Sequence, residues 1–260
     1  MTRTIPSERA GRYHPRMHHI ARTALVAVSL FTVVSAAGLP GCASHTSTRN
    51  APLSGTMTRA EQQAMSPQQA LDRLAAGNDR FVAGKSVDRD FPEQVRETAT
   101  GQYPYAVVLS CIDSRSAPEI IFDQGLGDLF VPRIAGNYVQ ADLLGSMEFA
   151  TKVAGARLVV VVGHTECGAV KGACDNVELG NLTTVIQAIR PAVNNVQTPS
   201  ADRGSGNSAF VRAVTIENVR LTVEKIRTDS PILRDLEQSG QITIVGALHE
   251  LDSGKVVWLN

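Results

Sequence analysis

Cysteine is scarce, with four in 260 residues at the irregularly spaced positions 42, 111, 167 and 174, which argues against a disulfide framework. Neither sign of charge is in excess, 25 Lys and Arg facing 25 Asp and Glu, so there is no basic stripe of the kind nucleic-acid binding requires. No internal repeat is apparent, which sets aside solenoids and propellers. The apolar run from Ala24 to about Leu39 is short of the roughly 20 residues that a helix needs to span a bilayer. What remains is a chain of ordinary composition, long enough for one α/β domain with a sizeable core.

The first 41 residues read as an address. Basic residues such as Arg16 and Arg22 precede the apolar run, which closes in Leu39-Pro-Gly-Cys42 and then turns polar. The pattern resembles a bacterial lipoprotein signal, with Cys42 as the lipidated first residue of the mature chain; a plain membrane anchor is the competing reading. Both imply export, to the periplasmic side, with the protein anchored to a membrane through lipid in the first case. Removing residues 1–41 takes away Arg3, Arg9, Arg12, Arg16, Arg22 and Glu8 and leaves the rest mildly acidic. Residues 42–65 are rich in Ser, Thr, Ala and Gln without an apolar period and are expected to form a flexible tether. The domain is expected over 66–260.

Within it, strands and helices alternate. Ser66-Pro67, with Leu71, Leu74 and Phe81 at helical spacing, predicts a capped amphipathic helix. Residues 105–110 form a short continuous apolar run, as suits a parallel strand buried on both faces. Residues 128–133 predict a second strand, which Pro132 places at a sheet edge because it lacks a ladder donor. A helix over 141–153 leads to a strand over 157–163; helices over 182–196 and 209–227 follow. A strand over 241–247 and its hairpin partner over 255–259 end the chain. The expected fold is α/β, a mainly parallel central sheet flanked by helices, with a C-terminal antiparallel hairpin strand.

Two strand ends carry the chemistry. Cys111-Ile-Asp-Ser-Arg115 closes the first apolar run and His164-Thr-Glu-Cys167 closes another. In parallel sheets ligands gather beyond the carboxyl ends of strands, so two such ends can share one site. Two thiolates and an imidazole suit zinc, whose catalytic sites keep three firm protein ligands and one free position. A Cys111–Cys167 disulfide competes with this reading, as does a purely structural zinc, although a closed site needs no displaceable Asp113. Cys174, about two helical turns beyond Cys167, is read as a core thiol.

These residues resemble the β-class carbonic anhydrases. The likeness runs from about Ser66 to Leu259 and rests on Cys111-Ile-Asp-Ser-Arg115, on Phe130-Val-Pro-Arg-Ile-Ala-Gly-Asn137 and on Gly163-His-Thr-Glu-Cys-Gly-Ala-Val170. Gln102 and Gly246-Ala-Leu-His-Glu-Leu-Asp-Ser-Gly254 extend it. The resemblance implies reversible hydration of carbon dioxide to bicarbonate and a proton, with one Zn2+ per subunit on Cys111, His164 and Cys167. It implies that Asp113 either binds the zinc or swings away to pair with Arg115. It gives Gln102 an amide that donates to substrate, Phe130 a place in the apolar wall and Gly168 a close approach beside the metal. A loop glutamine, a core aromatic and a helix-packing glycine are the plainer readings of those three. It implies a homodimer or higher homo-oligomer in which the amino-terminal helix crosses the partner. Some relatives carry a tryptophan three residues before the first ligand for a noncatalytic bicarbonate site; here that residue is Val108. A related zinc hydrolase of carbonyl sulfide or carbon disulfide, and a noncatalytic bicarbonate-binding protein, are the rival functions.

Overall fold

In the computed structural model the residues described are 55–197 and 202–259; the signal segment with Cys42 lies outside them. Five strands form one sheet in the order β2-β1-β3-β4-β5, where β1 is Ala106–Ser110, β2 Leu129–Phe130, β3 Leu158–His164, β4 Thr243–His249 and β5 Val256–Leu259. The first four pair in parallel and β5 returns antiparallel to β4. Every residue of β1 and β3 is buried, the expected outcome when helices cover both faces of a parallel sheet.

Side chains alternate across a strand, so each apolar run feeds two cores. Val107, Leu109, Val159 and Val161 face one cluster with Met147, Val219 and Leu233. Ala106, Val108, Leu158, Val160 and Val162 face the other, with Leu74, Phe122 and Val256. Helices α1 (Arg59–Ala64), α2 (Pro67–Val82), α3 (Phe91–Thr98), α4 (Pro118–Ile121), α5 (Ala141–Glu148), α6 (Gly168–Cys174), α7 (Leu182–Asn195), α8 (Ser208–Asp229) and α9 (Pro231–Gln238) surround the sheet. Helix α8 lies directly against β3 and β4: a Cβ added at Gly163 or at Gly246 would come within 2.7 Å of a Val219 methyl.

Several expectations are corrected. Residues 58–65, read as the end of a tether, carry α1, whose Thr58 and Glu61 form a reciprocal capping box. Buried Gln62 donates to the carbonyls of Pro104 and Ala154, at 2.7 and 2.9 Å, and so ties α1 to the domain. Strand β2 is two residues long, not six. It does lie at the edge, and its continuation past Phe130 is a single bridge of Ser110 to Arg133, with the Pro132 carbonyl accepting from Ser110 N–H. The helix over 141–153 closes as a π-helical turn from Phe149 to Val153. Strand β4 begins two residues later than expected, which brings His249 opposite His164. Helices α3 and α9 were not anticipated; both start on a side-chain cap, Asp90 or Ser230, with Pro in the first turn.

Candidate metal centre

Cys111 follows the last residue of β1, His164 is the last residue of β3, and Cys167 is the N-cap of α6. Neighbouring parallel strands therefore bring the first two together, and a two-residue turn, Thr165-Glu166, with Glu166 at φ +57° folds Cys167 back to them. One ligand atom from each of the three lies within 4.8 Å of the others, and all three residues are buried. The two sulfurs stand 3.9 Å apart as free thiols, so the disulfide reading does not hold in this structure. Cys174 is half-buried against the cluster that contains Cys111 and Cys167, in keeping with a packing role.

The imidazole is oriented for metal binding. His164 Nδ1 lies 2.9 Å from the Thr165 carbonyl. A carbonyl only accepts, so the contact fits the tautomer with its hydrogen on Nδ1, which leaves the Nε2 lone pair bare. That nitrogen is buried and has no hydrogen-bond partner among the described residues. A buried polar atom left without a partner is costly, and two thiols beside it make a divalent, thiophilic cation the fitting occupant. The hydrogen bond shared with the Cys167 thiol, opposed by burial and helped by His164 and the Gly136 N–H, pulls the Cys111 thiol down. The same sharing, with burial, pushes Cys167 up. The pair thus favours one thiolate without a metal, and a cation would favour both.

Asp113 is held beside the centre. Arg115 binds it through Nε and a terminal nitrogen, at 2.9 and 2.8 Å, and through its backbone N–H at 2.9 Å. This two-pronged bond, partly opposed by burial, holds the Asp113 carboxyl well below the usual carboxylate range. Its Oδ2 is 3.9 Å from His164 Nε2. Arg133 also reaches the loop, donating to the carbonyls of Cys111 and Asp113 at 2.8 and 2.6 Å. The hold that Arg133 exerts is on backbone, which no side-chain spacing in the sequence reveals.

The pocket residues fare differently. Gln102 is exposed and precedes β1, whereas Cys111 follows it, so five strand residues, about 17 Å, separate them within the chain. Phe130, half-buried on the edge strand β2, pairs with Val107 and packs edge-to-face on exposed Phe149, with ring centroids 6.2 Å apart. Neither is brought to Cys111 by this chain alone. Gly168 is exposed, and a Cβ there would meet nothing within 4 Å among the described residues, so helix packing does not explain it. Val108 is a fully buried core residue.

Fold and site define a parallel-sheet enzyme with a Cys-His-Cys centre and a carboxylate parked on an arginine beside it. The comparisons agree. The carbonic anhydrase family model matches residues 106–256. Carbonic anhydrase 2 of Mycobacterium tuberculosis is 38% identical over 200 residues, covering 74% of this chain and 92% of that protein. The carbonic anhydrase of Mycolicibacterium smegmatis is 38% identical over 192 residues, covering 73% and 92%. In fold, the chain is similar to the Coccomyxa β-carbonic anhydrase solved with acetazolamide (TM-score 0.56, 22% identity, covering 74% and 82%). It is equally similar to a tetrameric β-carbonic anhydrase of Sordaria macrospora (TM-score 0.56, 21% identity, covering 71% and 94%). The chain belongs to the carbonic anhydrase family and is a carbonate dehydratase with the β-class fold.

Proposed function

We propose that this enzyme hydrates carbon dioxide reversibly to bicarbonate and a proton with one zinc ion per chain, held by Cys111, His164 and Cys167. The observation that carries the reading is the buried, unpartnered His164 Nε2 facing two free thiols. Zinc bound there supplies Lewis acidity, which lowers the pKa of water towards neutrality. The chain's own residues do the rest. Arg115 keeps Asp113 ionised and turned to itself. Asp113 then accepts a hydrogen bond from the attacking oxygen, which orients that oxygen's lone pair towards the carbon. Val108 in place of tryptophan favours this paired arrangement as the resting one.

Gln102 and Phe130 serve the substrate only across a subunit boundary, because within one chain they lie far along β1 from the ligands. The functional unit is therefore a homodimer or a larger homo-oligomer. Exposed Phe149, packed on Phe130, and exposed Val153 at the end of the same π-helical turn supply apolar surface for such a contact. Export as a lipoprotein through Cys42 completes the reading: the enzyme acts on the periplasmic side, tethered to the membrane. Intact mass of membrane-extracted protein tests it, and an unmodified Cys42 dismisses it.

Stopped-flow proton release on mixing with carbon dioxide, run beside a sulfide-release assay with carbonyl sulfide and carbon disulfide, tests the reaction. Fast proton release without sulfide release is expected. Sulfide release alone points to the related hydrolase, and neither to a bicarbonate-binding protein.

A further inference from the structure

We propose that His249 is a positioning residue for the reaction: through Ser116 it anchors the turn that carries Asp113 and Arg115. The inference rests on the roles given to those two residues above. In the sheet, β4 lies on the side of β3 away from β1, and His249 is the register partner of His164. Neighbouring strands are about 4.8 Å apart, so Cys111 and His249 belong to strands about 10 Å apart, flanking His164. The segment 111–116 starts on the first of these strands and ends against the last. Ser116 is fully buried, and its hydroxyl shares a hydrogen bond with His249 Nδ1 at 3.0 Å. The loop therefore crosses the end of β3 and covers the His164 ring, which has no exposed surface.

The crossing is fastened at both ends. On the β1 side Arg133 holds the Cys111 and Asp113 carbonyls. On the β4 side Ser116 receives the Ser110 hydroxyl on its carbonyl at 3.2 Å, gives its N–H to the Asp113 carbonyl at 3.1 Å, and meets His249 through its side chain. The Asp113 backbone thus sits between two anchors while Arg115 aims its carboxylate. Among the described residues, the Ser116–His249 bond is the one hydrogen bond that joins the turn to β4. Without it the turn is held from the β1 and Arg133 side alone, and the far end of the crossing is free to shift Asp113 relative to His164. Placement errors of about 1 Å cost large factors in rate without altering what binds.

The test uses the zinc-loaded full-length enzyme. His249→Ala and Ser116→Ala are each expected to lower kcat on the order of tenfold with KM little changed, and the double variant to fall no further. His249→Asn, which keeps a polar partner for the hydroxyl, is expected to recover most of the loss. Zinc per chain stays at the wild-type value, and amide hydrogen exchange at 113–116 quickens while that of β1 and β3 does not. Wild-type kcat in both single variants, losses that multiply in the double variant, or zinc lost in step with activity would each overturn the proposal. Should the wild type itself show no hydration, the reading of the reaction fails, and unchanged exchange at 113–116 in Ser116→Ala would still overturn the anchor.

Discussion

Arg115 grips both carboxylate oxygens of Asp113, one through Nε and the other through a terminal nitrogen. The planar guanidinium matches a carboxylate edge to edge, whereas an ammonium offers a point charge. The bond turns the carboxylate towards the arginine, beside the buried cluster of Cys111, His164 and Cys167.

Arg115→Ala is expected to keep its zinc but to lose roughly a hundredfold in kcat, because Asp113 loses the partner that draws it from the centre. Arg115→Lys recovers only part of it, for want of the second prong. Elemental analysis and stopped-flow hydration on the same samples check both; near-normal turnover in Arg115→Ala rejects the role.

His164→Ala removes the only imidazole of the centre and is expected to leave zinc well below stoichiometric after dialysis. Stripping zinc from the wild type with a strong chelator should lower Tm, and adding it back should restore it. Any ligand that binds the folded state at a hundredfold excess over Kd contributes about 2.7 kcal/mol. A Tm indifferent to chelation would mean that no ion is held by the fold.

Burial, with a smaller contribution from His164, brings the His249 ring down to about 4 from an ordinary 6.5. The unfolded chain then binds the proton more readily than the folded one between those values. Stability is full above pH 6.5, falls as pH drops, and has lost about 3 kcal/mol by pH 4 from this residue. Between pH 6.5 and 4, denaturant titrations should show wild type losing about 3 kcal/mol more stability than His249→Asn. Parallel curves would show that the ring protonates equally in both states.

Gly77 in α2 presses against the turn after α4: a Cβ there would stand 1.9 Å from the Phe122 carbonyl oxygen. Backbone cannot give way as a side-chain tip can. Gly77→Ala should therefore cost about 2 to 3 kcal/mol and roughly 5 to 10 °C in Tm, read by calorimetry. A Tm within a degree of wild type would mean that α2 shifts freely.

Much of this protein is written locally. The all-apolar runs that became β1 and β3 read directly as buried parallel strands, Pro132 as an edge, and Ser253-Gly254 as a return into β5. The Cys-His-Cys cluster was legible because Cys111 and His164 sit where such strands end and Cys167 follows three residues on. Helix α1 escaped notice because six residues show too little period, and its burial comes from Gln62, a polar side chain meeting distant carbonyls. Strand β4 was misplaced by two residues because Ile242, Ile244 and the apolar run after them offer no local start signal. That shift hid His249, which only its pairing with β3 sets opposite His164.

By itself, the order of residues determined the layered α/β plan, the donor atoms and the carboxylate with its arginine, since each depends on periodicity or on neighbours a few positions apart. Only the tertiary structure decided which strands adjoin, that Ser116 reaches across to His249, and that Gln102 lies at the far end of β1 from Cys111. Those are distances between residues remote in sequence, and strand order and register, which no local pattern encodes, create them.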